Sequence, residues 1–304
     1  SPQSADLFSR WQPSTKGATF QKRIRINGVI RHATDLIGQL NVVTFSVYDI
    51  DLVGGEPALR RRYLDITNSQ IDRKYLRNLQ RYNRVLWQRN QLLRLISENR
   101  ANPDELASWD QQLVETGSYL IVQREHTVAN LTNLAQSINS DLSGEQGKLN
   151  LVYFRSIDKQ RGKEDSLLEE TAEVFNKALQ AAREQEISQG MSLMGPHRDD
   201  LRFFVDEVDV GVYASRGQQR TVALSLKLAE AKFMLNTTRE SPVLLLDDVL
   251  SELDARRRHQ LLNSAARHEQ VIITTTDLDR FEQGFLAQAS LFRVTKGQIE
   301  PLSA

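Results

Sequence analysis

Asp247 and Asp248 directly follow the four apolar residues 243–246. Such a run, without polar alternation, predicts a strand that is buried on both faces, as in a parallel sheet between layers of helices. Open α/β sheets bind their ligands at the carboxyl ends of such strands, and carboxylate oxygens suit Mg²⁺ that is carried by a nucleotide. The pair therefore predicts a magnesium and nucleotide site. The alternative is an ordinary buried strand that ends at a helix N-terminus.

A second candidate site comprises Ser215, Arg216, Gly217 and Gln218, which stand directly before the predicted helix 221–235. A hydroxyl group, a glycine that lets a ligand approach the backbone, and the free N–H groups of a helix N-terminus together favour anion binding. A plain Ser/Gly helix cap is an equally good interpretation of these residues.

The composition limits the functions that the chain can have. Its 304 residues include 39 Lys and Arg against 39 Asp and Glu, so any binding to nucleic acid or membrane must come from local patches. The absence of cysteine excludes a disulfide scaffold, a thiolate zinc site and a cysteine nucleophile. The apolar runs are too short to span a membrane, and no signal-peptide pattern opens the chain. We expect a cytoplasmic protein without membrane contact.

The first part of the chain predicts a few short strands. Residues on both sides of Asn27-Gly28 alternate between apolar and polar, which predicts a tight β-hairpin. Residues 41–45 predict a strand that enters a loop at 46–55. Residues 1–16 show no clear period.

The last part of the chain alternates between strands and helices, which favours an α/β fold with a parallel sheet. Around the strand that precedes Asp247, the sequence predicts a helix from Ser215 or Gly217 to about Leu235, a helix near 255–267, a strand at 271–274 and short strands near 291–294 and at 299.

Residues 60–142 predict two long helices in an antiparallel pair. The first segment is basic, with eleven Lys and Arg against three Asp and Glu in 60–100, and the second is acidic, with two against seven in 101–148. A solvated helical hairpin and a DNA-contacting arm are both open interpretations. Arg60, Arg61 and Arg62 are the best DNA candidates, and binding through phosphates would depend on salt.

In combination these motifs resemble those of the ABC-type ATPases and, more closely, the RecF family of bacterial recombination mediators, which is related to the SMC proteins. Ser215-Arg216-Gly217-Gln218 is similar to the ABC signature motif, and residues 244–248 are similar to a Walker B strand. The other matching segments are the D-loop-like 251–254, 195–200, 274–277 and the Q-loop-like region 41–65.

The resemblance implies a role for each motif. Asp247 would coordinate Mg²⁺, and Asp248 would occupy the position of the catalytic base. The signature residues Ser215, Arg216, Gly217 and Gln218 would bind the γ-phosphate of ATP that a second subunit holds, so that the active site forms only in a homodimer. Ser251 and Asp254 would line that interface. Thr275 or Thr276 would stand at the position of the phosphate sensor.

The sequence departs from the family pattern at the Walker A motif. No Gly-x-x-x-x-Gly-Lys-Ser/Thr occurs, and the nearest spacing, Gly190 to Gly195, is followed by Pro196. Because the family places this loop before the hairpin at Asn27-Gly28, we expect that the chain lacks the first strands and the P-loop. We therefore expect that the 304 residues alone neither bind ATP tightly nor hydrolyse it.

The expected fold is an ABC-ATPase-like α/β head with an inserted α-helical lobe. It would divide into the remainder of the ATP-binding lobe at 1–59, the helical lobe at 60–190 and the signature and Walker B part at 191–304. The resemblance implies ATP-dependent dimerisation on DNA at single-strand/duplex junctions, where the protein would help recombination mediators load a recombinase in repair, replication-fork recovery and the SOS response. The alternatives are another SMC-like ATPase and a non-enzymatic DNA-binding or interaction module.

Overall fold

The computed structural model describes residues 7–13, 20–144, 147–158 and 167–302. The strands are β1 (Leu7–Pro13), β2 (Phe20–Ile26), β3 (Val29–Arg31), β4 (Val42–Ser46), β5 (Leu149–Phe154), β6 (Asp200–Val205), β7 (Val208–Asp209), β8 (Val243–Asp247), β9 (Val271–Thr274), β10 (Phe292–Thr295) and β11 (Gln298–Pro301). The helices are α1 (Ala33–Leu36), α2 (Ile50–Gly54), α3 (Pro57–Ile71), α4 (Arg73–Ser97), α5 (Leu106–Ser143), α6 (Leu168–Gln189), α7 (Val210–Tyr213), α8 (Arg216–Thr238), α9 (Ala255–Ala265) and α10 (Gln283–Leu286). Within these residues, no helix combines the length and the apolar content that a membrane span needs.

The sheet that carries the candidate carboxylates is parallel, and β8 is its middle strand between β4 and β9. Leu244 and Leu246 are buried on one face of β8, whereas Val243 and Leu245 on the other face are only half-buried. The burial that the uninterrupted apolar run predicted for both faces is therefore found on one face. The predicted parallel sheet and the α/β class are therefore confirmed.

Helix α8 is the most deeply buried helix of the head, with every residue from 221 to 231 buried. Apolar residues occur all round this helix, which is typical of a helix enclosed by other elements. It packs against α5 on one side and against α2 and β4 on others. Its start at Ser215 is consequently fixed to the same body as the parallel sheet.

The β2–β3 hairpin is confirmed, because Asn27 and Gly28 have φ angles of 51° and 78°, as a tight hairpin turn requires. The predicted loop at 46–55 is wrong. Ser46 and Asp49 form a reciprocal cap that starts a 3₁₀ turn, and α2 then buries Leu52 and Val53. The strand β1 in the first sixteen residues was also missed, since its pairing with β2 is a matter of backbone bonds and not of local periodicity.

The helical region contains three main helices where two were predicted. Asp72 interrupts the first one, because its side chain accepts a hydrogen bond from the backbone N–H of Lys74 at 2.7 Å and caps α4. Helices α4 and α5 do pack as an antiparallel pair of opposite charge, and Arg81 reaches Glu115 at 3.1 Å across it. Such an exposed pair adds only tenths of a kcal/mol.

A second sheet consists of β5, β6 and β7 in antiparallel order. Its strands β5 and β6 pair directly although the predicted boundary at 190/191 separates them. The division into 1–59, 60–190 and 191–304 stays a prediction, and this sheet would join its second and third parts.

Candidate functional site

The two carboxylates lie at the carboxyl end of β8 and share one neighbour, Thr274, on β9. The Thr274 hydroxyl donates to Asp247 Oδ1 at 2.6 Å and accepts from the backbone N–H of Asp248 at 3.1 Å. This contact follows from the sheet register, in which Ser46, Asp247 and Thr274 are adjacent on three parallel strands. Sequence reasoning singled out Thr275 and Thr276 and missed Thr274. Its position as the last residue of a predicted parallel strand was the available signal.

Asp247 is exposed, whereas Asp248 is half-buried. Asp248 has a φ of 50°, in the left-handed region that Asp enters more readily than most residues. The chain turns sharply there, and the next two residues, Val249 and Leu250, are buried and anchor the turn. The backbone that carries the two carboxylates is therefore anchored by buried side chains at the carboxyl end of the strand.

The D-loop-like segment is fixed to this turn by two contacts. The Ser251 hydroxyl donates to the carbonyl oxygen of Asp248 at 2.7 Å. The Arg280 guanidinium donates to the carbonyl oxygen of Ser251 at 3.0 Å and pairs with Asp277 at 3.3 Å. Arg280 was also missed, and it connects the segment after β9 with the D-loop-like segment.

Asp254 caps helix α9 and remains exposed. It accepts from the backbone N–H of Arg257 at 2.9 Å and pairs with the Arg257 guanidinium at 2.7 Å. The hydrogen bond from the backbone N–H, followed by the nearby positive charge, lowers the pKa of Asp254. Asp254 is therefore ionised at neutral pH, at the end of the segment that carries Ser251.

Ser215 and Gln218 form a reciprocal cap at the start of α8. The helix-cap interpretation is therefore correct, and anion binding stays a prediction. Ser215 Oγ accepts from the backbone N–H of Gln218 at 3.3 Å, and Gln218 Oε1 accepts from the backbone N–H of Ser215 at 3.0 Å. All residues from Ser215 to Gln218, Arg216 and Gly217 included, are exposed. This helix start is therefore accessible from outside the molecule.

Packing does not require a glycine at position 217. A Cβ added there would meet Ser215 Oγ at 3.9 Å, an ordinary contact distance. Glycine costs about 1 kcal/mol relative to alanine inside a helix. A glycine that the fold does not need, on an exposed helix start, leaves the backbone open to close approach by another molecule.

The carboxylates suit Mg²⁺ only together with other ligands. Among the described residues no cluster of three or more His, Cys, Asp or Glu could hold a metal ion. Mg²⁺ is commonly bound by one or two carboxylates, with water and nucleotide phosphates as the other ligands. The exposed Asp247, oriented through Oδ1 by Thr274, fits such a site.

The predicted DNA residues have different environments. Arg60 is buried and binds Asp200 through two nitrogens, at 2.8 and 3.1 Å. This placement does not fit the predicted DNA contact of Arg60, because its guanidinium is already engaged inside the protein. Arg61 is partly buried and donates to the carbonyl oxygen of Asp199 at 2.9 Å. Arg62 is exposed, and its DNA contact stays a prediction.

The polar segment before β6 is bound by a buried arginine of α5. Arg124 donates to Asp65 Oδ1 and to the carbonyl oxygen of Pro196, each at 2.7 Å. Nearby, the Tyr153 hydroxyl donates to Asp199, whose pKa is raised by burial. The buried arginine thus connects the helical region with the loop that leads into β6.

His197 belongs to the same loop and has a structural role. Its Nε2 lies 3.2 Å from the carbonyl oxygen of Ser192, which can only accept, so Nε2 carries the hydrogen. Its Nδ1 then accepts from the Tyr82 hydroxyl at 2.6 Å. Burial lowers the pKa of His197 to about 4.

A parallel sheet with paired carboxylates at its end, and a buried helix whose Ser-Arg-Gly-Gln start is exposed, define the head fold of an ABC-type ATPase. No family model matches the chain. The DNA replication and repair protein RecF of Herpetosiphon aurantiacus is 46% identical over 286 residues, which are 93% of this chain and 72% of that protein. RecF of Chloroflexus aggregans is 48% identical over 284 residues, 92% of this chain and 72% of that protein. The chain belongs to the RecF family.

Two solved structures of the recombination mediator protein RecF in the RecFOR pathway share this fold. The RecF-ATPrS structure has a TM-score of 0.82 and 31% sequence identity, and the match covers 93% of this chain and 74% of that chain. The RecF-ATP structure has a TM-score of 0.81 and 32% identity over the same shares.

Proposed function

We propose that this protein is an ATP-dependent DNA-binding protein of DNA replication and repair, which dimerises when ATP is bound. The observation that carries the proposal is the pair Asp247 and Asp248, held by Thr274 at the open end of the parallel sheet. The names of the RecF relatives and the ATP in the solved RecF structures support it.

In this proposal the two carboxylates have separate tasks. Asp247 binds Mg²⁺, and the metal, when bound, neutralises charge on the phosphates. Asp248 accepts a hydrogen bond from the attacking water and orients it. The left-handed turn at Asp248 and the buried Val249 and Leu250 anchor the backbone that carries the two carboxylates.

The signature residues act on ATP that is held by a second copy of the protein. Ser215, Arg216, Gly217 and Gln218 are exposed, and a helix N-terminus is suited to bind a phosphate group. Ser251 and Asp254 line the same dimer interface. Since these contacts exist only when ATP is bound, nucleotide binding would shift the equilibrium toward the dimer.

In the cell, the dimer would bind single-strand/duplex junctions and help recombination mediator proteins load a recombinase. The protein would act in the cytoplasm, including during the SOS response. The 304 residues contain no Walker A sequence, so we further propose that these residues alone neither bind ATP tightly nor hydrolyse it. ATP turnover by this chain that is abolished by Asp248→Asn would contradict that statement.

Two substitutions at Ser215 test the dimer in the protein expressed from its natural gene. Asp and Asn both cap helices as well as Ser does, so neither Ser215→Asp nor Ser215→Asn should destabilise α8. Only Asp places a negative charge where the γ-phosphate would bind. We expect Ser215→Asn to dimerise with ATP and Mg²⁺ in light-scattering measurements and Ser215→Asp to remain monomeric.

The free energy of unfolding serves as the control, and it should be equal in the two variants within about 0.5 kcal/mol. Equal ATP-dependent dimerisation of both variants would exclude the phosphate contact of Ser215. A wild-type protein that stays monomeric with ATP and Mg²⁺ would contradict the proposed function itself.

A further inference from the structure

Helix α4 has an unusual charge composition. Its 25 residues include seven Lys and Arg and no Asp or Glu. Tyr75, Tyr82, Leu93 and Ile96 are among the residues that bury its inner face. Arg73, Arg77, Arg84 and Trp87 are all exposed, and Trp87 retains 58% of its accessible surface.

The exposed arginines form a row along the helix. At 3.6 residues per turn, Arg73, Arg77 and Arg84 fall within an arc of about 40° on the face opposite the buried residues. At 1.5 Å per residue, they are spaced along the axis by about 6 and about 10 Å. Trp87 lies about one turn further along the same side. We call these three arginines the α4 arginine row.

The nearby charges leave the α4 arginine row as a local positive surface. Among the described residues, none of its three members forms an ion pair, whereas three of the acidic groups around α4 are paired with other arginines. Glu115 pairs with Arg81, and Asp110 and Glu186 pair with Arg89. Asp72 accepts hydrogen bonds from the Tyr119 hydroxyl and the backbone N–H of Lys74 and keeps its single negative charge beside the three arginines.

We propose that the α4 arginine row binds the phosphate backbone of duplex DNA. A chain of zero net charge needs such a local patch to attract nucleic acid. Arginines at intervals of one to two helical turns fit successive phosphates, and the rigid helix presents them without reorganisation. The inference rests on the proposed DNA-binding function. It assigns the DNA-binding surface to the α4 arginine row, whereas the sequence predicted this surface at residues 60–62.

The test compares two triple variants by fluorescence anisotropy with a labelled duplex between about 50 and 200 mM salt. The row variant is Arg73→Gln, Arg77→Gln and Arg84→Gln. The matched control is Arg239→Gln, Arg267→Gln and Arg293→Gln, which removes the same charge at other exposed positions. Each phosphate contact adds about 0.9 to the salt slope, so the row variant should lower the slope by about 2.7.

We expect the row variant to bind the duplex at least about tenfold more weakly, while the control binds like the wild type. If wild type, row variant and control bind duplex DNA equally, the assignment of DNA binding to the α4 arginine row is wrong, and the proposed DNA-binding function is unaffected. If the wild type does not bind duplex DNA, the proposed function fails together with this assignment. Binding of poly-glutamate as tight as that of DNA, lost in the row variant alone, would identify an acidic polypeptide as the partner and overturn the proposal.

Discussion

Thr274 shows at the level of single residues how the candidate site is held together. Its hydroxyl donates to the Asp247 carboxylate and accepts from the backbone N–H of Asp248, so one side chain contacts both residues of the pair. The carboxylates themselves could be predicted from their place after an apolar run. Their neighbour could not, because the contact depends on the register between β8 and β9.

Replacing Thr274 by Val removes the hydroxyl and keeps the side-chain shape. We expect Thr274→Val to lower the free energy of unfolding by about 1 kcal/mol, since the Asp247 carboxylate loses the hydroxyl at a partly solvated site, whereas the backbone N–H of Asp248 keeps the carbonyl oxygen of Thr274 at 3.3 Å. Thr274→Ser keeps the hydroxyl and is the control. Urea denaturation measures both, and equal stability of the two variants would show that the hydroxyl does not hold the carboxylates.

His197 makes the stability of the protein depend on pH. Its pKa is about 4 in the folded protein and close to 6.5 in the unfolded chain. Between these values the unfolded chain binds more protons, so stability falls as the pH is lowered. The cause is burial of the imidazole, whose Nδ1 is occupied by the Tyr82 hydroxyl.

We expect His197 alone to remove about 2 kcal/mol of unfolding free energy between pH 7 and pH 5. Gln can donate and accept in a similar way but does not titrate. Urea denaturation of wild type and His197→Gln at several pH values isolates this contribution, because other titrating groups are common to both. Parallel pH profiles would mean that His197 is not the titrating group.

At the level of elements, buried arginines connect the helices of the central region. Arg89 on α4 is fully buried and binds Asp110 on α5 and Glu186 on α6, each at 2.7 Å, as well as the Ser192 hydroxyl. Glu186 also accepts from the backbone N–H of Leu193 at 2.7 Å. The loop that leads to β6 is thereby fixed to three helices.

Removal of Arg89 should leave Glu186 as a buried charge without its counterion. We expect Arg89→Met to cost about 3–5 kcal/mol of unfolding free energy. The double variant Arg89→Met, Glu186→Gln should be more stable than the single one, because the uncompensated charge is gone. Chemical denaturation of the three proteins tests this, and a double variant that is as unstable as Arg89→Met would exclude the charge as the cause.

The elements that could be predicted are those whose signal is local. The helix α8, the strands β8 and β9 and the Asn27-Gly28 hairpin follow from periodicity, apolar runs and turn residues. The polar contacts of the loop before β6 and of the first residue of β6 could not be predicted, because their partners are distant in sequence, as with Arg124 and Pro196 or Arg60 and Asp200. For the same reason the sequence could not show that Arg60, a DNA candidate, is buried and paired with Asp200.

At the scale of the whole molecule, the parallel sheet and α8 form one body with the helical region, since α8 packs against α5. Two exposed surfaces of this body are the proposed binding sites. One is the open sheet end with Asp247 and the exposed start of α8 at Ser215, where a second copy would bind with ATP. The other is the α4 arginine row, where duplex DNA would bind.

The most direct test of the composite site is cross-linking between two copies of the protein. The chain has no cysteine, so Ser215→Cys and Ser251→Cys can be placed in separately tagged preparations of the protein from its natural gene. With a short bismaleimide, we predict that the mixed pair cross-links when ATP and Mg²⁺ are present and not without nucleotide, while Ser215→Cys paired with itself gives little product. Equal cross-linking of the mixed pair with and without ATP, or none with ATP, would contradict a site that two copies assemble around the nucleotide.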